Sequence, residues 1–182
     1  MNIFKNILLL IISPRVGWEE IEHSSCDTER VLSTAFHPLL AVLAVSCFVP
    51  MLYDSTTHTL SSSLMQAIVS FSKYLITYFI ASFLLTGFYP ELTKSELGVH
   101  RMNNYIVYVL IFLILLSIVI NLIPGQFSPL YFLMLYAVLI AYRGIDFLGV
   151  KPGKELKFIV VATILIVAMP QALDALLNML IQ

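Results

Sequence analysis

The chain has 182 residues, of which 59% are hydrophobic and only 12% charged. A soluble domain usually carries about 25% charged residues, and the mean hydropathy of +0.92 excludes a soluble α/β or all-β domain. With a net charge of −1 and no long basic stretch, nucleic acid is excluded as a partner.

The first 33 residues precede any run long enough to cross a bilayer. Lys5 leads an apolar run from Ile7 to Ile12, far short of the ~20 residues that a crossing needs. No small-residue cleavage site follows, so the run does not read as a removed signal. Phe4, Ile7, Leu8, Ile11 and Ile12 share one helical face, which suits either an interfacial helix or a helix packed against a bundle. His23 and Cys26 have a metal-like spacing close to Glu19, Glu20 and Glu22. That is half of the four-ligand set of a structural zinc site, and neither a metal nor a cofactor is expected. Cys26 and Cys47 fall in stretches of different depth, which argues against a disulfide.

Five apolar runs follow, at about 35–53, 64–89, 105–123, 129–148 and 156–181. Each is long enough to cross a ~30 Å hydrocarbon core as a helix. Backbone groups in lipid must be paired internally, and no segment shows the alternation of a membrane strand. The expected fold is therefore all-α: a bundle of five transmembrane helices over 34–182, preceded by an N-terminal segment, 1–33, that holds the short apolar helix. Turn residues mark the joints: Asp54 to His58, Pro90 to Asn104, Pro124 to Ser128, and Gly149 to Gly153.

The positive charges orient this layout. Lys5, Arg15, Arg30, Lys94, Arg101, Arg143, Lys151, Lys154 and Lys157 all fall on alternate connections, on the side of the N-terminus. The 54–63 loop, the 124–128 turn and the C-terminal tail hold none. The positive-inside rule then places the N-terminus, and segment 1–33 with it, in the cytoplasm and the C-terminus outside, in a multi-pass protein of the cytoplasmic (inner) membrane.

Lys73, the tenth basic residue, lies inside the second run, and Asp174 is the acid deep in the fifth. Counted from the outer ends, both sit roughly 10–14 Å deep. Intramembrane charges face the bundle and find partners, so the matching depths predict a Lys73–Asp174 ion pair. Such a pair either fixes helix register or serves as a proton or ion site; the competing expectation is Lys73 snorkelling outward along its own stem. Pro170 should kink the fifth helix, and Pro38 and Pro50 bracket the first. Arg143 and Asp146, three residues apart, suit a local pair at the inner end of the fourth. Tyr131, Tyr136 and Tyr142 lie along the same run, as interfacial aromatics would. No nucleophile triad, phosphate loop or metalloprotease motif occurs, so an enzyme is not expected.

The chain resembles the Yip1 family of small polytopic membrane proteins, in its bacterial branch. Three features carry the resemblance: Ser13-Pro14-Arg15-Val16-Gly17-Trp18-Glu19-Glu20-Ile21 ahead of the first run; the five-run layout; and Leu130-Tyr131 through Tyr142-Arg143-Gly144 to Gly149-Val150 before a short basic loop. The resemblance implies a helical bundle in which Pro14 turns the chain at the interface and Trp18 sits at headgroup depth. Eukaryotic members are linked to vesicle traffic and prenylated GTPases, but the Asp-Tyr-Gly-Pro-rich motif of those members is not visible here. The expected role is a non-enzymatic scaffold or adaptor whose partners are the lipid bilayer, other membrane proteins or further copies of itself. The alternatives are a small transporter or channel component built on Lys73 and Asp174, and an accessory subunit of a larger membrane complex.

Overall fold

The computed structural model describes residues 3–24, 27–54, 58–92, 98–123 and 129–181. Ser25, Cys26, Lys94, the 124–128 turn and the side chains of Tyr89, Pro90, Leu130 and Tyr131 lie outside the described residues. Two short helices open the chain, α1 (Ile3–Ile12) and α2 (Pro14–Ser24), folded back on one another as a hairpin. Pro14 lacks a backbone N–H and starts α2 at the one helical position where none is needed. The two helices approach to backbone contact. A Cβ on Gly17 would lie 2.5 Å from Leu10 Cα and 2.6 Å from Leu10 N, so only glycine fits. Lys5 pairs with Glu20 at 2.9 Å, and Asn6 donates to Ser24 Oγ at 3.2 Å, tying the open end of the hairpin.

The remaining helices are α3 (Thr28–Tyr53), α4 (Leu60–Leu92), α5 (Gly98–Leu122), α6 (Pro129–Arg143), α7 (Ile145–Leu148) and α8 (Glu155–Leu180). Proline shapes two of them. In α3 the backbone widens to π-helix over Leu32–Phe36, just ahead of Pro38. In α8 it does so over Thr163–Ala168, just ahead of Pro170. A widened turn accommodates the ring and the missing N–H, which is how the irregularity expected at Pro170 takes shape. Pro50 instead restarts α3 after a break at Cys47–Val49.

Residues 105–114 are apolar apart from two tyrosines, on every side of a helix, and such a helix must be buried. They form the middle of α5, which runs through the centre of the molecule: Met102, Tyr105 to Ile111 and Ile114 are fully buried. Helices α1, α3, α4, α6, α7 and α8 pack around it. Outward-facing residues of the long helices, such as Val45, Phe83, Phe132 and Ile164, are apolar, as a lipid-facing surface requires. There is no strand among the described residues. The protein is an all-α, multi-pass membrane bundle.

The apolar run 35–53 belongs to a longer helix that begins at Thr28, where the chain is already packed on α5. Among the described residues, four helices are long and apolar enough to cross a membrane: Thr28–Tyr53, Leu60–Gly87, Val99–Leu122 and Glu155–Leu180. The run expected at 129–148 is not one helix of that length. Its main part, α6, has 15 residues, about 22 Å at 1.5 Å per residue. It stops at Gly144, and α7 completes the run up to Gly149, which caps it in the left-handed conformation at φ 64°.

Candidate functional site

Polar side chains from four helices converge within the bundle. From α4, Lys73 reaches toward α8, and its Nζ lies 2.5 Å from Asp174 Oδ1. The lysine side chain is 11% exposed and the aspartate 29%. The second carboxylate oxygen accepts from Asn178 Nδ2 at 3.2 Å. The ammonium also lies 5.5 Å from the Tyr74 ring centroid, a cation–π distance. Tyr74 turns its hydroxyl to α5, 2.7 Å from Ser117 Oγ and 3.3 Å from the Leu113 carbonyl. Further along α5, Asn121 donates to Ser46 Oγ at 3.0 Å and to Cys47 Sγ at 3.5 Å, both on α3. Ser70, three residues before Lys73 on the same face of α4, is buried as well.

Lys73 and Asp174 are therefore adjacent, and Lys73 points across the bundle rather than outward along its own helix. The pair carries opposite charges inside an apolar bundle, with Asn178 and the Tyr74 ring supplying further contacts. Ser46, Cys47, Ser70, Tyr74, Ser117 and Asn178 extend it into a polar seam, and sequence reasoning did not name them as part of a site.

A second junction forms where α2 meets α5, α6 and α7. Trp18 is 2% exposed. Its indole stacks on Tyr105 and Phe147, with ring centroids 5.4 and 5.1 Å apart, and meets Tyr108 edge-on. The indole Nε1–H donates to the Ile140 carbonyl at 2.9 Å, and the Tyr105 hydroxyl donates to the Ala141 carbonyl at 3.0 Å. These carbonyls belong to the last turn of α6, where both share the single N–H of Gly144 at 3.2 Å and have room for a second donor. Gly144 ends that helix under the two rings. A Cβ there would lie 2.6 Å from Tyr105 Cε2 and 3.0 Å from Trp18 Cε2. Arg101 closes the junction, 3.1 Å from Glu22 and 3.3 Å from the Phe147 carbonyl.

The resemblance implied a depth for Trp18; the structure adds that its ring is surrounded by protein. The indole donor shares the Ile140 carbonyl with the Gly144 N–H, which lies 3.2 Å from it. Arg143 and Asp146 do not pair among the described residues, because the helix breaks between them at Gly144. They line a small polar cavity of about 90 Å³ with Tyr142, Ile145 and Glu155.

A family model described as the Yip1 domain matches residues 8–173. The chain belongs to the Yip1 family. The Yip1 match takes in Pro14, Trp18, Lys73, Gly144 and the whole of α3 to α7, and it ends one residue before Asp174. No curated protein and no solved structure matches the chain. The Yip1 assignment carries the membrane class and the family; the seam and the Trp18 junction are read from this chain's own residues.

Proposed function

We propose that this Yip1-family protein is a non-enzymatic adaptor or scaffold of a cytoplasmic (inner) membrane, crossing five times with its N-terminus inside and its C-terminus outside. The observation that carries the adaptor reading is the docking of the N-terminal hairpin. Residues 3–24 are clamped to α5, α6 and α7 by Trp18, by Arg101 and by the Tyr136 hydroxyl, which donates to the Ile11 carbonyl at 2.8 Å. The hairpin and the inner ends of the helices thus present one fixed surface, edged by exposed Arg15, Glu19 and Arg30. Basic residues on the connections at that end support the orientation. The run 129–148 supplies the fourth crossing as α6 plus α7, with the break buried under Trp18.

Purified in mild detergent from its native membrane, the full-length protein is expected to bring down one protein in fixed ratio. The variant Arg15→Glu/Glu19→Arg, which reverses exposed charges and leaves the buried contacts alone, should lose at least nine-tenths of that partner. Recovery of the protein alone, or equal recovery of the partner by both forms, overturns the adaptor reading. For orientation, a His58→Cys variant should react with an impermeant maleimide from outside intact cells. Reaction only after the inner face is opened would reverse the topology.

The buried ion pair favours a second reading, a small transporter or channel component. It requires Lys73 and Asp174 to be needed for cellular function beyond their effect on stability.

A further inference from the structure

The hairpin does not lie across the end of the bundle; it enters it. Glu22 pairs with Arg101 near the start of α5. Trp18 stacks on Tyr105, further along α5. At the turn of the hairpin, the Ile11 carbonyl meets the hydroxyl of Tyr136, whose ring packs on Phe112. From Arg101 to Phe112 is eleven residues of α5, about 16 Å of rise. Tyr136 also lies seven residues inside Arg143, about 10 Å along α6. Helices α1 and α2 have 10 and 11 residues, roughly half the length that a ~30 Å hydrocarbon core demands. That is the length of a segment that enters one leaflet and returns.

The two helices present different outer faces. On α1, Ile3, Ile7 and Leu10 pack on the bundle, while Phe4, Leu8 and Ile12 stay 59%, 58% and 69% exposed. At Ile11 the strip reaches α6 through the Tyr136 hydroxyl, and the exposed residues of α6 on either side of Tyr136, Leu135 and Leu139, are apolar as well. On α2 the outer face is Arg15, Glu19 and His23, with Arg15 and Glu19 paired at 3.3 Å. One hairpin thus continues the lipid-facing surface on one side and carries charge on the other.

We propose that the α1–α2 hairpin is a re-entrant wedge in the leaflet at its end of the bundle, with Phe4, Leu8 and Ile12 against acyl chains and Arg15, next to the inserted turn, reaching back along α2 to Glu19 and the aqueous side. Backbone at membrane depth is tolerated where it is buried in protein. The hairpin meets that condition through its helical bonds, through Tyr136 on the Ile11 carbonyl and through the bond from Ser13 N to the Leu9 carbonyl. The occupant of the apolar strip is lipid: the strip is apolar from Phe4 to Ile12, and its inner end lies level with Tyr136 and beside the exposed apolar residues Leu135 and Leu139 of α6.

The test uses the full chain with Cys26→Ser and Cys47→Ala, reconstituted in phosphatidylcholine–phosphatidylglycerol vesicles. An environment-sensitive fluorophore is placed at Phe4→Cys, Leu8→Cys or Ile12→Cys, with Phe83→Cys on α4 as the lipid-facing reference and Glu29→Cys as the aqueous one. Lipids brominated on their acyl chains should quench the label at positions 8 and 12 at least twofold, as at 83, and leave 29 unchanged. Emission at 4, 8 and 12 like that at 29 would mean that the strip faces water. Blue-shifted emission without quenching would mean that protein, such as a second copy, covers it. Either result overturns the proposal. Should a label disturb the hairpin, a second measurement stands on its own. In unsealed membranes a soluble maleimide should modify Glu19→Cys at least tenfold faster than Ile12→Cys, and equal rates overturn the wedge.

Discussion

Replacing Lys73 with methionine is expected to destabilise the bundle by about 3 kcal/mol, and replacing Asp174 with leucine by about 5 kcal/mol, within the range for breaking a buried ion pair. The order follows from burial. Lys73→Met orphans a carboxylate that is 29% exposed and still holds Asn178, whereas Asp174→Leu strands an ammonium whose side chain is only 11% exposed. The double variant Lys73→Met/Asp174→Leu should recover most of the loss, because well-packed apolar residues can replace a buried pair at little cost. Unfolding by SDS titration in mixed micelles reads all three. The snorkelling account makes the opposite forecast: a lysine with no partner in the bundle would give a neutral or stabilising Lys73→Met. The same series separates adaptor from transporter. A double variant that folds as well as the parent yet fails in the cell assigns the pair a task beyond holding two helices together.

The depth argument that brought Lys73 and Asp174 together was legible because intramembrane charge is rare and 1.5 Å per residue converts position into depth. The seam around them had a signal as well. Ser70, Lys73, Tyr74 and Thr77 recur at offsets of 0, 3, 4 and 7 along one face of α4, Asp174 and Asn178 are four apart on α8, and Ser117 and Asn121 are four apart on α5. Read as polar stripes on apolar helices, they would have pointed inward together. Which stripe meets which was not legible, since it depends on helix order in the bundle. The central place of α5 was announced by residues 105–114, which are apolar on every side apart from two tyrosines. The break at Gly144 was not legible, because a glycine inside a 20-residue apolar run is common in membrane helices, and only the arrival of Trp18 and Tyr105 explains it. The hairpin was half legible: the apolar face of α1 was evident, but the same face serves the bundle at Ile7 and faces outward at Phe4, Leu8 and Ile12. Periodicity cannot divide it.

Trp18 should carry the docking of the hairpin, and Trp18→Ala is expected to cost about 3–5 kcal/mol, the usual range for removing a buried aromatic. Trp18→Phe divides that cost. It keeps a ring between Tyr105 and Phe147 but removes the indole donor from the Ile140 carbonyl, which keeps its bond from the Gly144 N–H, a loss of about 0.5–1.5 kcal/mol. Gly144→Ala attacks the junction from below. Its Cβ meets Tyr105 Cε2 at 2.6 Å and Cδ2 at 2.8 Å, on a ring fixed by its bond to Ala141 and its contact with Phe158. The ring has little room to retreat, and overpacking of this kind costs about 1–3 kcal/mol. Because Tyr105 gives the closer clash, Tyr105→Leu should relieve Gly144→Ala more than Trp18→Phe does, a coupling that a double-mutant cycle reads directly. Trp18 is also the single tryptophan in the chain, so its emission reports the state of the junction without a label. In Gly144→Ala the emission should shift to the red before global unfolding in SDS, as the hairpin lifts and the indole meets water. A Gly144→Ala protein with unchanged emission and unchanged midpoint would mean that α6 ends at Gly144 for a reason other than the two rings above it.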